Sequence, residues 1–295
     1  MAVFARPETQ ASRVMKSLQG RILRSVGTVR NYEQALTRVC EWVKENRLCE
    51  GDLRNLTPKQ AVIYLELRGE TAGQKTLDME RQAIQAMMQH LTGKLSPGAT
   101  LPVIRSEHEQ TLRSRAYTPE QVNLISSAQN EHNALATQIA HAAGLRAHEL
   151  LTLRPHTERS SDERPVTPTK WAGREGDLYT VQGKGGLIRD VLIPHNLAQQ
   201  LESRRLESPR HITDRGVNYL SYYETGGGQP WSNSFSAAAQ RVLGWSTGAH
   251  GVRHSYAQTR MTELQRLGLT REDALRTVSQ EMGHFRPEIT ETYLR

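Results

Sequence analysis

The chain has 295 residues, 37% of them hydrophobic and 23% charged. At roughly 150 residues per domain, this predicts two domains and leaves room for packed cores. No run of eighteen apolar residues occurs, which argues against a membrane-spanning helix, and Cys40 and Cys49 form no CxxC pair, which makes a reducing cytoplasm the expected compartment. The formal net charge is +7 and 31 of the 38 basic residues are arginine, whose planar fork suits phosphate, so the composition favours a polyanionic partner.

The first part of the chain shows helical patterns. Apolar residues recur at steps of three and four after Gly27-Thr28, and again over residues 77–91, as on the buried face of a helix. Between them, Thr57-Pro58-Lys59-Gln60 has the chemistry of a helix N-terminus, with Thr57 as N-cap and Gln60 as its capping-box partner. These signals predict a compact all-α bundle of about ninety residues.

Residues 92–117 differ in character from the bundle. They contain Gly93, Pro97, Gly98 and Pro102 and show no sustained period, which is typical of an extended linker between domains. The cap chemistry then returns at residues 118–121, where a second helical domain is predicted to begin.

The second domain contains one clear β signal. Two β-rich runs, residues 178–181 and 187–193, flank the glycine-rich residues 183–186, which predicts a hairpin. The preceding residues 155–176 are predicted to be an irregular loop. After residue 232 helices are predicted, with a capping pair at Thr270 and Asp273, a C-terminal cap at Gly283 and a last short helix opening at Pro287.

Four short motifs carry the functional signal: GLRAHEL at 144–150, GKGGLIR at 183–189, HGVRH at 250–254 and GHFRPEITETY at 283–293. Each is ordinary alone. In this order and spacing they resemble the tyrosine site-specific recombinases, the family of phage and mobile-element integrases and Xer-type chromosome-dimer resolvases. The resemblance covers about 180 residues, from the helix at Thr118 to the C-terminus, and extends more loosely to the preceding bundle.

The resemblance implies a fold class and a domain plan. The expected fold is mainly α with a small antiparallel β-sheet (α+β). Residues 1–104 are expected to form a SAM-like helical core-DNA-binding domain, with 1–25 as a candidate flexible arm. Residues 105–117 are the expected linker and 118–295 the catalytic domain.

Tyr293 is the candidate nucleophile. Strand exchange without an external energy source needs a covalent intermediate that keeps the phosphoester bond energy. The resemblance implies that the Tyr293 phenol attacks the scissile phosphorus and leaves a 3′-phosphotyrosine and a free 5′-hydroxyl. An ordinary tyrosine has a pKa of about 10, so this phenol needs help losing its proton. The alternative is an interfacial tyrosine on a terminal helix.

Arg146 and Arg253 are the candidate phosphate clamps, because guanidinium forks stabilise the extra charge of a pentacoordinate phosphorus. Glu149 follows Arg146 by three residues and is the candidate supporting residue that orients this arginine or a neighbouring histidine. Surface salt bridges are the alternative for all three residues.

Lys184, His250 and His284 complete the candidate site through the resemblance. In the family a lysine at the position of Lys184 protonates the departing 5′-oxygen. The position of His250 assists proton transfer with the tyrosine, and that of His284 donates to the phosphate and packs, where other members have tryptophan. A zinc site at His250 and His254 is disfavoured, because HExxH chemistry is missing and Arg253 lies between them.

The resemblance also implies the partners. These are double-stranded DNA with a specific crossover site, a homo-tetramer in the synaptic complex, and accessory DNA-bending factors as further candidates, in a prokaryotic, DNA-associated setting. No metal, nucleotide, redox cofactor or membrane is expected. The printed sequence ends at Arg295, whereas many members continue past the nucleophile into a segment that docks on a neighbouring subunit. Two rival functions remain open: a catalytically inactive DNA-binding regulator of the same fold, and a type IB topoisomerase-like activity.

Overall fold

The computed structural model describes residues 5–108, 113–183 and 185–295. The chain divides into two compact units, Met1–Thr111 and Leu112–Arg295. Within the described ranges, none of the helices is both long and apolar enough to cross a membrane.

The first unit is a helical bundle. In its described part the α-helices are α1 Pro7–Leu18, α2 Val26–Glu45, α3 Pro58–Gly69 and α4 Gln74–Met87. The apolar stripe predicted over residues 29–43 is buried in α2. The capping box at α3 is present as predicted, because the Thr57 side chain accepts from the Gln60 amide and the Gln60 side chain accepts from the Thr57 amide.

Residues 7–18 form a packed helix, so the expectation of a flexible arm over 1–25 is wrong for this segment. The apolar residues of α1, among them Val14 and Leu18, are buried in the core of the unit. Gln10 is fully buried as well, and its side chain bonds the Gly51 carbonyl at 2.8 Å and the Leu53 amide at 2.9 Å. This burial and bonding offset the entropy cost of ordering the segment.

In the region predicted as a linker, residues 92–117, Thr92 ends a π-helical turn, and residues 93–108 and 113–117 contain neither helix nor strand. Leu101 is buried in the core of the first unit, and the Ser106 hydroxyl donates to the Ala72 carbonyl at 2.6 Å. Tyr117 is buried in the core of the second unit. Both ends of this extended stretch are therefore held by side-chain packing.

In its described part, the second unit combines helices with two small antiparallel sheets, which is the α+β class expected. Its helices are α5 Pro119–Ser127, α6 Glu131–Ala143, α7 His195–Glu202, α8 Gly228–Leu243, α9 Gly251–Arg266, α10 Arg271–Glu281 and α11 Pro287–Thr290. Its strands are β1 Arg154–Pro155, β2 Asp177–Gln182, β3 Ile188–Ile193, β4 Arg205–Asp214 and β5 Val217–Tyr223.

The predicted hairpin is formed by β2 and β3, which pair from Asp177 with Ile193 to Gln182 with Ile188. Strand β1 adds a third, short strand beside β2. One face of this sheet is buried in a core that also contains α5, α6 and α8. A separate core joins α9, α10 and the C-terminal residues, including Tyr293.

The hairpin of β4 and β5 is absent from the sequence prediction, which found one β signal in this domain. Strand β4 is mostly exposed and lacks an alternating apolar pattern. Its register shifts between Arg205 and Arg210, around Pro209, a residue that strands tolerate at bulges. The two-residue turn is Arg215-Gly216, outside the Asn-Gly and Asp-Gly pairs that announce a hairpin in sequence.

Candidate active site

Tyr293 lies at the centre of a cluster of histidines and arginines. It ends a 3₁₀ turn, Glu291–Tyr293, directly after α11, and it is almost fully buried. Its ring centroid is 4.9 Å from that of His254, 5.0 Å from that of His284 and 5.4 Å from that of His250. The Arg253 guanidinium carbon lies 5.5 Å from the same centroid. A tyrosine packed against three imidazoles and a cation differs from an ordinary interfacial residue.

Two elements hold the terminal turn in this position. The Gln258 side chain of α9 donates to the Tyr293 carbonyl at 3.2 Å. At the surface, Arg271 of α10 forms a two-pronged ion pair with Glu291 at 2.7 and 2.8 Å. Pro287 opens α11 as predicted. These contacts fix the backbone on which the phenol is carried.

Glu149 is a fully buried carboxylate shared by three arginines. It accepts from the Arg146 side chain at 2.7 Å and from the Arg146 amide at 2.8 Å. It also accepts from Arg189 at 2.9 Å and lies 3.7 Å from Arg253. Burial alone would raise the pKa of Glu149, but the charges of Arg189, Arg253 and Arg146 outweigh it and hold the pKa well below its ordinary value. A surface pair is therefore excluded for Glu149.

Arg253 is fully buried beneath the tyrosine ring. Its guanidinium donates to the Gly144 carbonyl, to the Met282 carbonyl at 3.2 Å and to Nε2 of His284 at 3.1 Å. Burial and the nearby Arg146 lower the pKa of Arg253 to about 10, so it stays protonated at neutral pH. Arg146 differs in accessibility, because 24% of its side chain is exposed.

Arg189 also belongs to this cluster, although the sequence motifs did not identify it as a candidate residue. It is buried in β3, donates to the Glu281 carbonyl at 2.6 Å and pairs with Glu149. A sequence signal was present: strand residues two apart share a face. Arg189 therefore lies on the same face as Val191 and Ile193, both buried in the core. An arginine on an apolar strand face requires a buried partner.

His284 is oriented by the turn that precedes it. Gly283 follows α10 with φ of +72°, and its amide donates to the Gln280 carbonyl at 3.0 Å, so it ends the helix as predicted. The His284 ring then lies between Arg253, which faces Nε2, and Thr290, whose hydroxyl is 3.1 Å from Nδ1. Because arginine only donates, Nε2 must accept and Nδ1 carries the proton. Both ring nitrogens of His284 are therefore paired within the protein, and its role as a phosphate donor stays a prediction.

All three histidines around Tyr293 are held neutral. Burial, followed by the charge of Arg253, lowers the pKa of His284 to about 3. Burial and Arg115 lower the pKa of His254 to about 4. Desolvation by the surrounding protein and Arg253 also lower the pKa of His250, although this residue keeps an exposed surface. A neutral imidazole keeps one nitrogen without a proton and can act as a base, and the lowered pKa makes these three histidines weaker bases than ordinary histidines.

The structure thus brings together Arg146, Glu149, His250, Arg253, His284 and Tyr293, six of the seven candidate residues. Lys184 lies outside the described residues. The preceding residue, Gly183, is close to the cluster, because a Cβ atom built on it would be 3.6 Å from Oε1 of Glu149. The described residues contain no group of three or more His, Cys, Asp or Glu side chains that could hold a metal ion.

Comparison with protein-family models finds no match to this chain, and comparison with curated protein sequences finds none either. Solved structures do match. One is the XerH site-specific recombinase bound to palindromic difH substrate in a post-cleavage complex, with 13% identity, a TM-score of 0.60, and coverage of 99% of this chain and 92% of that chain.

Two further structures match at similar levels. A lambda integrase dimer bound to a COC′ core site has 15% identity and a TM-score of 0.59, over 97% of this chain and 94% of that chain. The Tn1549 transposon integrase in complex with transposon right end DNA has 13% identity and a TM-score of 0.55, over 99% of this chain and 95% of that chain. The chain therefore has the fold of the tyrosine site-specific recombinases and integrases.

Proposed function

We propose that this protein is a site-specific DNA recombinase, of the integrase or excisionase type carried by mobile elements. It cleaves and rejoins duplex DNA through a covalent 3′-phosphotyrosine at Tyr293. The observation that carries the proposal is the surroundings of the Tyr293 ring: three neutral histidines and the buried Arg253 pack against one tyrosine. The likeness to DNA-bound recombinases supports it.

In the cleavage step, Oη of Tyr293 attacks the scissile phosphorus and the bond from phosphorus to the 5′-oxygen breaks. The phenolic proton passes to the neutral imidazole of His250. The departing 5′-oxygen takes a proton from the ammonium of Lys184, the role that the family resemblance gives this residue. Religation is the reverse step with the 5′-hydroxyl of a second strand, so no phosphoester bond energy is lost.

The arginines have unequal roles in this proposal. Arg146 is partly exposed and binds a non-bridging phosphate oxygen directly. Arg253 is fully buried, and it stabilises the developing negative charge from beneath the Tyr293 ring. Glu149 is a positioning residue, because it pairs with Arg146 and lies 3.7 Å from Arg253. Arg189 acts through Glu149, because it donates to the same buried carboxylate.

We propose that both units contact DNA. The matches to DNA-bound structures cover 97–99% of the chain, and therefore include the helical bundle of the first unit. We assign residues 1–104 to core-DNA binding and residues 118–295 to catalysis, with the tetramer on paired duplexes as the working assembly. A lambda integrase tetramer bound to a Holliday junction is among the matched structures.

The test is a trapping experiment with a library of randomised duplexes that carry nicks staggered along both strands, in buffer with EDTA. A nick beside the cleaved bond lets the short 5′-hydroxyl fragment diffuse away, so the covalent intermediate accumulates. We expect the wild-type protein to form detergent-resistant adducts on a defined sequence. Tyr293→Phe should form none while still binding that sequence.

The matched control is Tyr222→Phe, which removes the same hydroxyl group from a tyrosine in β5. This tyrosine stacks on Arg154 of β1, and the variant should react like wild type. Adducts in Tyr293→Phe, or a strict requirement for a divalent metal, would overturn the mechanism. Binding without any adduct would favour a regulator. Relaxation of supercoiled plasmids that lack the recovered sequence would favour a topoisomerase.

A further inference from the structure

The turn between β4 and β5 is fixed against helix α8. Arg215 and Gly216 form a two-residue loop with φ of +49° and +78°. Before them, the buried Asp214 accepts from the Gln229 amide at 2.8 Å, at the start of α8, and from Nε of Arg215 at 3.0 Å. The carboxylate therefore ties the turn to the helix and sets the direction of the Arg215 side chain.

Arg215 reaches a cavity that also borders the candidate active site. The cavity has a volume of about 230 Å³, large enough for several water molecules at roughly 30 Å³ each. Its polar lining comes from Arg146, His148, Arg215, Ser232 and His250. None of the described residues that line it is acidic. We name this cavity the cationic pocket.

One wall of the cationic pocket contains a donor or acceptor without a partner. Nε2 of His148 is buried and makes no hydrogen bond to any described residue. Such a group costs free energy unless a ligand or water satisfies it. Burial, Arg146 and Arg215 lower the pKa of His148, against the opposing charge of Glu149. Arg146 and Arg215 line the same pocket as this ring, and their guanidinium groups supply the positive charge that a bound anion would need.

We propose that the cationic pocket binds a second backbone phosphate of DNA, beside the phosphate attacked by Tyr293, with Arg215 as its principal ligand and His148 as a further donor. The inference rests on the proposed function. Arg146 lines this pocket and also belongs to the cluster around Glu149, so a single DNA strand that passes Tyr293 would place consecutive phosphates at the two positions. Arg215 would then set the register of the strand relative to the nucleophile.

The test removes one positive charge from the protein and one negative charge from the DNA, separately and together, and compares the losses in binding affinity. All proteins in it also carry Tyr293→Phe, so that only binding is measured. The probe is a duplex recovered by binding to that protein from a randomised library, with each backbone phosphate in turn replaced by a neutral methylphosphonate. Arg215→Gln should weaken binding about tenfold, as for loss of a charge-assisted hydrogen bond. It should also reduce the salt slope by about 0.9.

One methylphosphonate should weaken binding of the parent by a similar factor and leave Arg215→Gln without further loss, because both changes remove the same contact. The matched control is Arg266→Gln, at the other end of α9 from His250 and roughly 24 Å along that helix. It removes the same charge and should respond to every methylphosphonate as the parent does.

Three results would overturn the inference: parent-like binding by Arg215→Gln, independent losses at every methylphosphonate position, or saturable, Arg215-dependent uptake of inorganic phosphate that does not compete with the duplex. The last result would assign the pocket to a small anion. Because binding by Tyr293→Phe protein is the readout, failure of the wild type to form adducts would refute the proposed function and leave this test intact.

Discussion

Arg189 donates to the carboxylate of Glu149 at 2.9 Å, and both side chains are withdrawn from solvent. The pair links β3 to the 3₁₀ turn Glu149–Thr152 that follows Arg146. Since Glu149 also lies 3.7 Å from Arg253, one buried negative charge holds three positive charges in place. This arrangement gives the arginine cluster its geometry before any DNA contact is made.

Replacing Glu149 should destabilise the protein strongly. In Glu149→Gln the buried Arg189 and Arg253 lose their counter-charge, and a broken buried pair costs about 3–5 kcal/mol of the free energy of unfolding. Urea denaturation measures this value. The matched control is Glu272→Gln, whose carboxylate is exposed and lies 3.5 Å from Arg276, and which should change stability by less than about 0.5 kcal/mol. Equal effects of the two substitutions would contradict the role assigned to Glu149.

Gly283→Ala should lower the stability of the protein by more than the strain of its backbone conformation alone explains. Its φ of +72° strains any other residue, and the added Cβ would lie 2.4 Å from Cδ of Arg189. Gly268→Ala is the control, because Gly268 has φ of +90° and open space around the same position. We expect about 1 kcal/mol of destabilisation for the control and clearly more for Gly283→Ala, measured by thermal unfolding. Similar losses would show that the approach of Arg189 is unimportant.

The tautomer of His284 is a third prediction. The ring should carry its proton on Nδ1, since Nε2 faces the Arg253 guanidinium. Nitrogen NMR of histidine-labelled protein reports the protonated nitrogen directly. Thr290→Val should lower the ratio of the Nδ1-protonated to the Nε2-protonated tautomer about fivefold, by removal of one neutral hydrogen bond of about 1 kcal/mol. A proton found on Nε2 would mean that the ring presents a donor where we infer an acceptor.

Stability should fall as the solution is acidified below about pH 6.5. Unfolded histidines take up protons near that value, whereas the folded protein resists protonation of His254 and His284 until pH about 4 and about 3. In this window the unfolded state binds more protons, so acid favours unfolding. Each histidine contributes at most about 1.4 kcal/mol per pH unit, less where solvent screens it.

Urea denaturation of the wild type and of His284→Gln at about pH 7.5 and about pH 5 measures this dependence. The variant should show a smaller loss between the two values. His211→Gln, at an exposed position in β4, should keep the wild-type loss. A wild type equally stable at both values would refute the prediction.

Local patterns in the sequence predicted the elements that carry the site. Proline at the first helical position is one such pattern. Helices α3, α5 and α11 begin at Pro58, Pro119 and Pro287. The glycine-rich turn predicted the hairpin of β2 and β3 because turn chemistry and β-rich flanks act over a few residues. The four motifs of the family resemblance then indicated which of these elements contribute residues to one site.

Tertiary contacts decided what the sequence could not show. Gln10 is a polar residue in a segment that looks like a basic tail, and its burial depends on carbonyl and amide groups about forty residues away. Arg215 stands in a hairpin without an apolar period, and its position depends on the contact of Asp214 with α8. The surface-pair interpretation of Glu149 likewise failed because Arg189 and Arg253 come from distant segments.

The covalent bond itself is the most direct test of the proposed chemistry. Adducts trapped on nicked duplexes are digested with nuclease and then with trypsin, which leaves residues 277–295 as one peptide because Pro287 follows Arg286. Fragmentation in the mass spectrometer then locates the residual nucleotide. We predict a 3′-linked nucleotide on Tyr293 alone. A nucleotide on His284 or on any other residue would contradict the central claim.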